Sequence, residues 1–172
     1  MANLEVLKKL FDQDKGLYIA IKRAMNDLYR YDKHLICNEP HERRCPDETG
    51  KHYVGERAIV FRFAHYLQNE LVKNHKYSNF HLDCEYNRNG CETKNLPAFP
   101  NGTFPDLIIH HRDSNEDNIL VMEFKTYWNA DTERDRLKVK GFVNKNGKYN
   151  YKYGVVVVIG KTLDETTFEV YQ

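Results

Sequence analysis

The stretch FPDLIIHHRDSNEDNILVMEFK, Phe104 to Lys125, decides how this chain is read. Two apolar runs flank a polar knot, Arg112 to Asp117. An aspartate, Asp106, heads the first run after Pro105, and Glu123 and Lys125 stand one residue apart at the end of the second. The knot is short and rich in turn formers, so the pattern predicts a hairpin centred near residue 115. Antiparallel pairing about that centre sets Asp106 across from Glu123 or Phe124, with opposed Cβ atoms about 5 Å apart. Side chains alternate along a strand, so Ile119, Val121, Glu123 and Lys125 share one face while Leu120, Met122 and Phe124 share the other. Glu123 and Lys125 then project to the same side, about 7 Å apart.

Two carboxylates held that close repel one another unless a cation joins them. Lys125 offers one positive charge. A divalent ion offers more, and hard oxygen donors suit Mg²⁺ or Mn²⁺. Such an ion, held by Asp106 and Glu123, polarises a phosphoryl oxygen and lowers the pKa of a bound water. Lys125 orients that water or steadies charge growing on the phosphate, because two neighbouring carboxylates keep it protonated and unfit as a base. The same letters recur in polar loops, as Pro46-Asp47 and as Glu92-Thr93-Lys94. What sets the 105–125 copy apart is that both halves lie on apolar strands joined by a short turn. A structural ion pair at a strand end is the plainer reading of Glu123 and Lys125.

A third carboxylate enters from an earlier helix. In YVGERAIVFRFAHYLQNELVK, within a helix expected from about Val54 to Lys73, the residues Val60, Phe63, Leu67 and Leu71 form an apolar stripe. Glu56 lies on that stripe, four residues before Val60. A glutamate there is costly unless paired or bound to metal, and the helix N-terminus eases the cost. A solvated N-terminal glutamate is the competing reading. Glu85, in DCEYNRNG, reads as a solvated or paired strand residue.

Outward from these segments the pattern is mixed. Residues 3–14 and 17–31 read as helices, the second with Tyr18, Ile21, Met25 and Leu28 on one face. Residues 37–52 read as a loop, and KYSNFHLDCEYNRNG as a strand closing on an Asn-Gly turn. Residues 91–103 look irregular. Asp131 is expected to cap a helix of about 131–143 with Leu137 and Phe142 inward. Tyr149, Tyr151 and Tyr153 alternate, which places them on one strand face. YGVVVVIG is a strand buried on both sides, and TFEVYQ a last strand at an edge. This order predicts an α/β domain with a mixed sheet and flanking helices, residues 1–172 forming a single domain.

The chain has 172 residues, 41% hydrophobic and 30% charged, with a formal net charge of +1, so no global basic field exists to draw in nucleic acid. The N-terminus has no long apolar region of the kind a signal peptide needs, and no run reaches membrane-spanning length, which predicts a cytoplasmic protein without membrane partners. Four cysteines, Cys37, Cys45, Cys84 and Cys91, fall in two pairs with His34 and His41 near the first. Their spacing matches no zinc pattern, so reduced thiols are the expectation and a structural zinc site the alternative.

Pro105-Asp106 followed by Glu123-Phe124-Lys125, with sixteen residues between the two acids, resembles the PD-(D/E)XK nuclease superfamily. The resemblance implies a restriction-endonuclease-like fold over about 54–172, residues 54–160 matching the order helix, strand, strand, strand, helix, strand, with about 1–50 as a helical addition. It implies Mg²⁺-dependent (or Mn²⁺-dependent) phosphodiester hydrolysis, usually on DNA. By that analogy Asp106 and Glu123 hold the metal with the Phe124 carbonyl, Lys125 is the catalytic lysine, and Glu56 is an accessory contact. A non-catalytic binding module that keeps the fold is the alternative.

A nucleic-acid substrate needs cations and stacking partners. Arg134, Arg136, Lys138 and Lys140 make the 131–143 helix locally basic, although a solvated face explains each singly. Tyr127, with Trp128 beside it, is a candidate for base stacking or for covering the sheet end. Arg43, Arg44 and Lys51 add a basic loop. A homodimer, with the N-terminal helices at its interface, would suit double-strand cleavage.

Overall fold

The computed structural model describes residues 2–36 and 54–172. Three N-terminal helices come first: α1 (Ala2–Leu10), α2 (Lys15–Tyr31) and the single turn α3 (Lys33–Ile36). Helix α4 (Glu56–Leu71) leads to β1 (His81–Cys84) and a small hairpin of β2 (Arg88–Asn89) and β3 (Glu92–Thr93). Then follow β4 (Leu107–His110), β5 (Leu120–Thr126), α5 (Glu133–Val143), β6 (Tyr153–Ile159) and β7 (Thr167–Tyr171). The five long strands form one mixed sheet in the order β1-β4-β5-β6-β7. β4 and β5 pair antiparallel, as the hairpin pattern predicted, and β5 and β6 pair parallel across the α5 crossover. β7 is an edge strand, antiparallel to β6.

The alternation along β5 sorts its side chains between two cores. Leu120, Met122 and Phe124 enter the larger one, with Leu107 and Ile109 of β4 and the apolar stripes of α1, α2 and α4. Val121 enters the smaller one, with Ile108, Val156 and the α5 residues Val139, Phe142 and Val143. Helices thus cover both sheet faces, which is why β6 reads as a continuous apolar run. The N-terminal helices share the larger core: Phe11 sets its ring edge against Tyr153, with centroids 4.7 Å apart.

Several sequence expectations shift. Leu137 is half exposed rather than inward, and the buried stripe of α5 is Asp135, Val139, Phe142 and Val143. The helix turns an aspartate, Asp135, toward the sheet and leaves the leucine outside. Asp131 does support the helix start, accepting a hydrogen bond from the Glu133 N–H at 3.2 Å, but the boundary residue is Thr132. Tyr149 and Tyr151 pack in the smaller core while Tyr153 packs in the larger one. Tyr153 parts from the other two because β6 begins only there, and Asn150 before it has a left-handed φ of 46° that breaks the alternation. Within 91–103 the chain forms β3, and the Asn-Gly pair closes the small hairpin rather than β1: Asn89 ends β2 and Gly90, at φ 60°, turns the chain with Cys91. Among the described residues, no helix is long and apolar enough to cross a membrane.

Gly154 fixes how closely α5 lies on the sheet. A Cβ built there meets Val139 Cγ1 at 2.4 Å and Val143 Cγ1 at 2.7 Å. Such overlap forces Val139 and Val143, or the helix that carries them, to shift. Gly154→Ala is therefore expected to cost about 1–3 kcal/mol, which thermal unfolding should register as a fall in Tm of several degrees.

Candidate functional site

The β4–β5 register pairs Leu107 with Met122, and one step further along sets Asp106 opposite Glu123. Asp106 is fixed there by its own side chain: Oδ2 accepts a hydrogen bond from the Phe124 N–H at 2.7 Å. Pro105, which lacks an N–H, precedes it, and the carbonyls of both residues accept from the Glu85 N–H at the end of β1. Glu56 is the first residue of α4, and that helix is tied to β5 by Phe63, whose ring centroid lies 5.3 Å from that of Phe124. Its stripe of Val60, Phe63, Leu67 and Leu71 is buried as expected, which aims Glu56 at the polar end of β5.

Two ammonium groups and four carboxylates meet at that end. Lys125 Nζ lies 3.1 Å from Glu56 Oε1, where it donates a hydrogen bond, and 3.2 Å from Asp135 Oδ2. It also donates to the Phe124 carbonyl at 3.2 Å. Lys138 Nζ donates to Glu123 Oε2 at 2.6 Å and stands 3.8 Å from Asp135 Oδ1. A small pocket lined by Glu56, Arg57, Val60, Cys84, Glu85 and Asp106 opens beside the cluster. Glu85 is paired there with Arg57 at 2.9 Å.

The electrostatics follow from burial. Glu123 is fully buried, and desolvation, followed by the neighbouring charge of Asp106, holds its carboxyl well above the usual range despite Lys138. Burial likewise pushes Asp106 up to about 6, against the opposing pull of the Phe124 N–H and Lys138. Glu56 is raised by burial and partly restored by Lys125. Burial pulls the Lys125 ammonium down, but Asp135 and Glu56 outweigh it and leave the group above the ordinary lysine value. Lys138 behaves in the same way, with Glu123 as its main support. The cluster has more negative charge than its lysines can answer.

Asp135 is the participant that sequence reading missed, and the role of Lys138 beside Glu123 went unread with it. The signal was present: Asp135 stands four residues before Val139 and seven before Phe142, on the buried stripe of α5. An acid on that apolar stripe is as costly unless paired as Glu56 is on the stripe of α4. Lys138 lies one turn further on, at the (i, i+3) position.

The remaining basic candidates lie apart from the carboxylates. Arg136 forms a two-pronged pair with Glu169 of β7, one contact at 2.7 Å. Arg134 lies over the Phe99 ring at 5.1 Å, and Lys140 lies 5.8 Å from the Tyr171 ring centre. Tyr127 sits edge-on to Trp128, with Lys161 over its ring at 5.5 Å. Trp128 packs on the larger core, in keeping with covering the sheet end. Lys138 is thus the one proposed substrate contact among these that reaches the cluster.

The donor set is of the kind a hard divalent cation takes. Glu123 Oε1 and Glu56 Oε2 are buried without hydrogen-bond partners, and Asp106 stands opposite Glu123. Asp106 and Glu123 are the residues that fit such an ion. In this arrangement the lysines occupy the carboxylates, and among the described residues no three His, Cys, Asp or Glu side chains converge as a metal-holding group. Cys84 and Cys91 are free thiols, whereas Cys37, Cys45 and His41, with Arg43, Arg44 and Lys51, lie outside the described residues.

Comparison of the chain with family models, with curated proteins and with solved structures returned no match.

The raised Asp106 carboxyl has a measurable consequence in metal-free protein. A folded-state pKa of about 6 against an ordinary 3.8 means that the folded protein holds this proton more tightly than the unfolded chain. Its contribution to stability is full below pH 4 and is lost as pH rises to about 6, a difference of roughly 3 kcal/mol. Asp106→Asn, which keeps the oxygen facing Phe124, should match the wild type near pH 4 in EDTA. It should become the more stable protein by pH 7, as read by denaturant unfolding at both pH values.

Proposed function

We propose that this protein is a metal-dependent nuclease of the PD-(D/E)XK, restriction-endonuclease-like kind, hydrolysing phosphodiester bonds with DNA as the favoured substrate. The observation that carries this reading is the meeting of Asp106, Glu123 and Lys125 at one end of the β4–β5 pair, with Glu123 Oε1 buried and unpartnered. The element order from α4 to β6 and the mixed five-stranded sheet support the fold assignment.

In this reading Asp106 and Glu123, with the Phe124 carbonyl, would hold Mg²⁺ or Mn²⁺. The ion supplies polarisation of a phosphoryl oxygen and an acidified water. Lys125 stays protonated between Glu56 and Asp135 and therefore acts as an electrostatic partner for charge developing on the phosphate, not as a base. Glu56 fixes the direction of the Lys125 ammonium and offers its second oxygen to an attacking water. The Phe124 N–H holds Asp106 in register, so backbone and side chain together set the donor spacing.

A second reading has an observation of its own. Lys125 and Lys138 already pair with Glu56, Asp135 and Glu123, so the cluster also suits a structural network in a binding module. Incubation of single- and double-stranded DNA and of RNA with the protein, in Mg²⁺ and in EDTA, separates the two. The nuclease reading expects cleavage in Mg²⁺ alone. It further expects Asp106→Ala to abolish cleavage and Lys125→Met to lower kcat by about 10²–10³-fold, the cost typical of losing one transition-state donor. Nucleic-acid binding that ignores Mg²⁺ and both substitutions, without cleavage, would establish the binding module instead.

A further inference from the structure

The cluster holds a second lysine that the nuclease reading does not need for chemistry. Lys138 reaches from the second turn of α5 and places its Nζ 2.6 Å from Glu123 Oε2. Glu123 is fully buried and its other oxygen, Oε1, has no hydrogen-bond partner, so Lys138 is the one cation paired with this carboxylate among the described residues. With Glu56, Asp106, Glu123 and Asp135 ionised, the lysines leave two negative charges unanswered. Ionised Glu123 in that position needs a cation beside it, whether or not a metal is present.

Lys138 also has somewhere to go. Asp135 Oδ1 lies 3.8 Å from its Nζ and the Phe104 carbonyl lies 3.4 Å away. Its side chain retains 15% exposure, and a swing away from Glu123 onto Asp135 keeps an ion partner. We propose that Lys138 is a stand-in cation: it neutralises Glu123 in the metal-free protein, and a divalent ion engages Asp106 and Glu123 by displacing its Nζ onto Asp135. This role rests on the metal site of the proposed nuclease.

Three variants and Mn²⁺ itself, followed by calorimetric titration and by thermal unfolding in EDTA and in Mn²⁺, test the assignment without recourse to activity. Lys138→Met removes the competitor at nearly constant length. It should unfold at lower temperature than wild type in EDTA, bind Mn²⁺ at least tenfold more tightly, and gain more in Tm from Mn²⁺ than wild type does. Lys138→Arg keeps the charge, protects folding and should bind Mn²⁺ more weakly than Lys138→Met. Glu123→Gln combined with Lys138→Met removes both the buried charge and its partner, and should recover the EDTA Tm while losing the Mn²⁺ response. Should Lys138→Met bind Mn²⁺ no more tightly than wild type, or lose stability that Mn²⁺ does not restore, Lys138 is a structural counter-ion and the stand-in role is overturned while the metal site stands. If Lys138→Met does not fold, a Lys138→Arg affinity equal to or above that of wild type overturns it in the same way. Absence of Mn²⁺ binding in wild type and all variants overturns the metal site and the stand-in role together.

Discussion

The parallel pairing of β5 with β6 is the constraint on which the rest depends. Seven residues of each strand are in register, from Leu120 with Tyr153 to Thr126 with Ile159. A parallel pair cannot be closed by a tight turn, so the chain must cross over, and α5 is the crossover. Gly154 lets that helix lie directly against the strand. The close approach brings Asp135 and Lys138 over the polar end of β5, where Glu123 has no access to solvent.

The electrostatic character of the cluster follows from this packing and not from composition. The chain as a whole is nearly neutral. Locally, burial strengthens every uncompensated charge, and carboxylates outnumber ammonium groups. Each lysine is divided among partners: Lys125 between Glu56 and Asp135, Lys138 chiefly on Glu123. Neither arrangement satisfies Glu123 Oε1 or Glu56 Oε2. Buried ion networks left partly unsatisfied cost stability. Lys125, held charged from two sides, is suited to stabilising negative charge and unsuited to accepting a proton.

Much of this was legible in the strands. The period-two alternation of β5 sorted its side chains correctly between two cores, and the polar knot centred the hairpin so that Asp106 fell opposite Glu123. The stripe of α4 placed Glu56. On α5 the reading holds for Phe142, which is buried, and fails for Leu137, which the period set by Val139, Phe142 and Val143 excludes from the core. It failed again at Tyr149, Tyr151 and Tyr153, where alternation was extended past the start of the strand. In both places a local rule was applied without the boundary or phase that a neighbouring element supplies.

By itself, then, the sequence determined which residues alternate, which helix face is apolar, and that an acid, an acid and a lysine would share one strand end. These are properties of short segments, set by the fixed periods of strand and helix. Tertiary structure alone decided that Asp135 and Lys138 join them, that Arg136 is spent on Glu169, and that Lys138 rather than Lys125 faces Glu123. Those outcomes depend on the distance and rotation of α5 over the sheet, which no segment encodes alone, because they are fixed by contacts between side chains far apart in the chain.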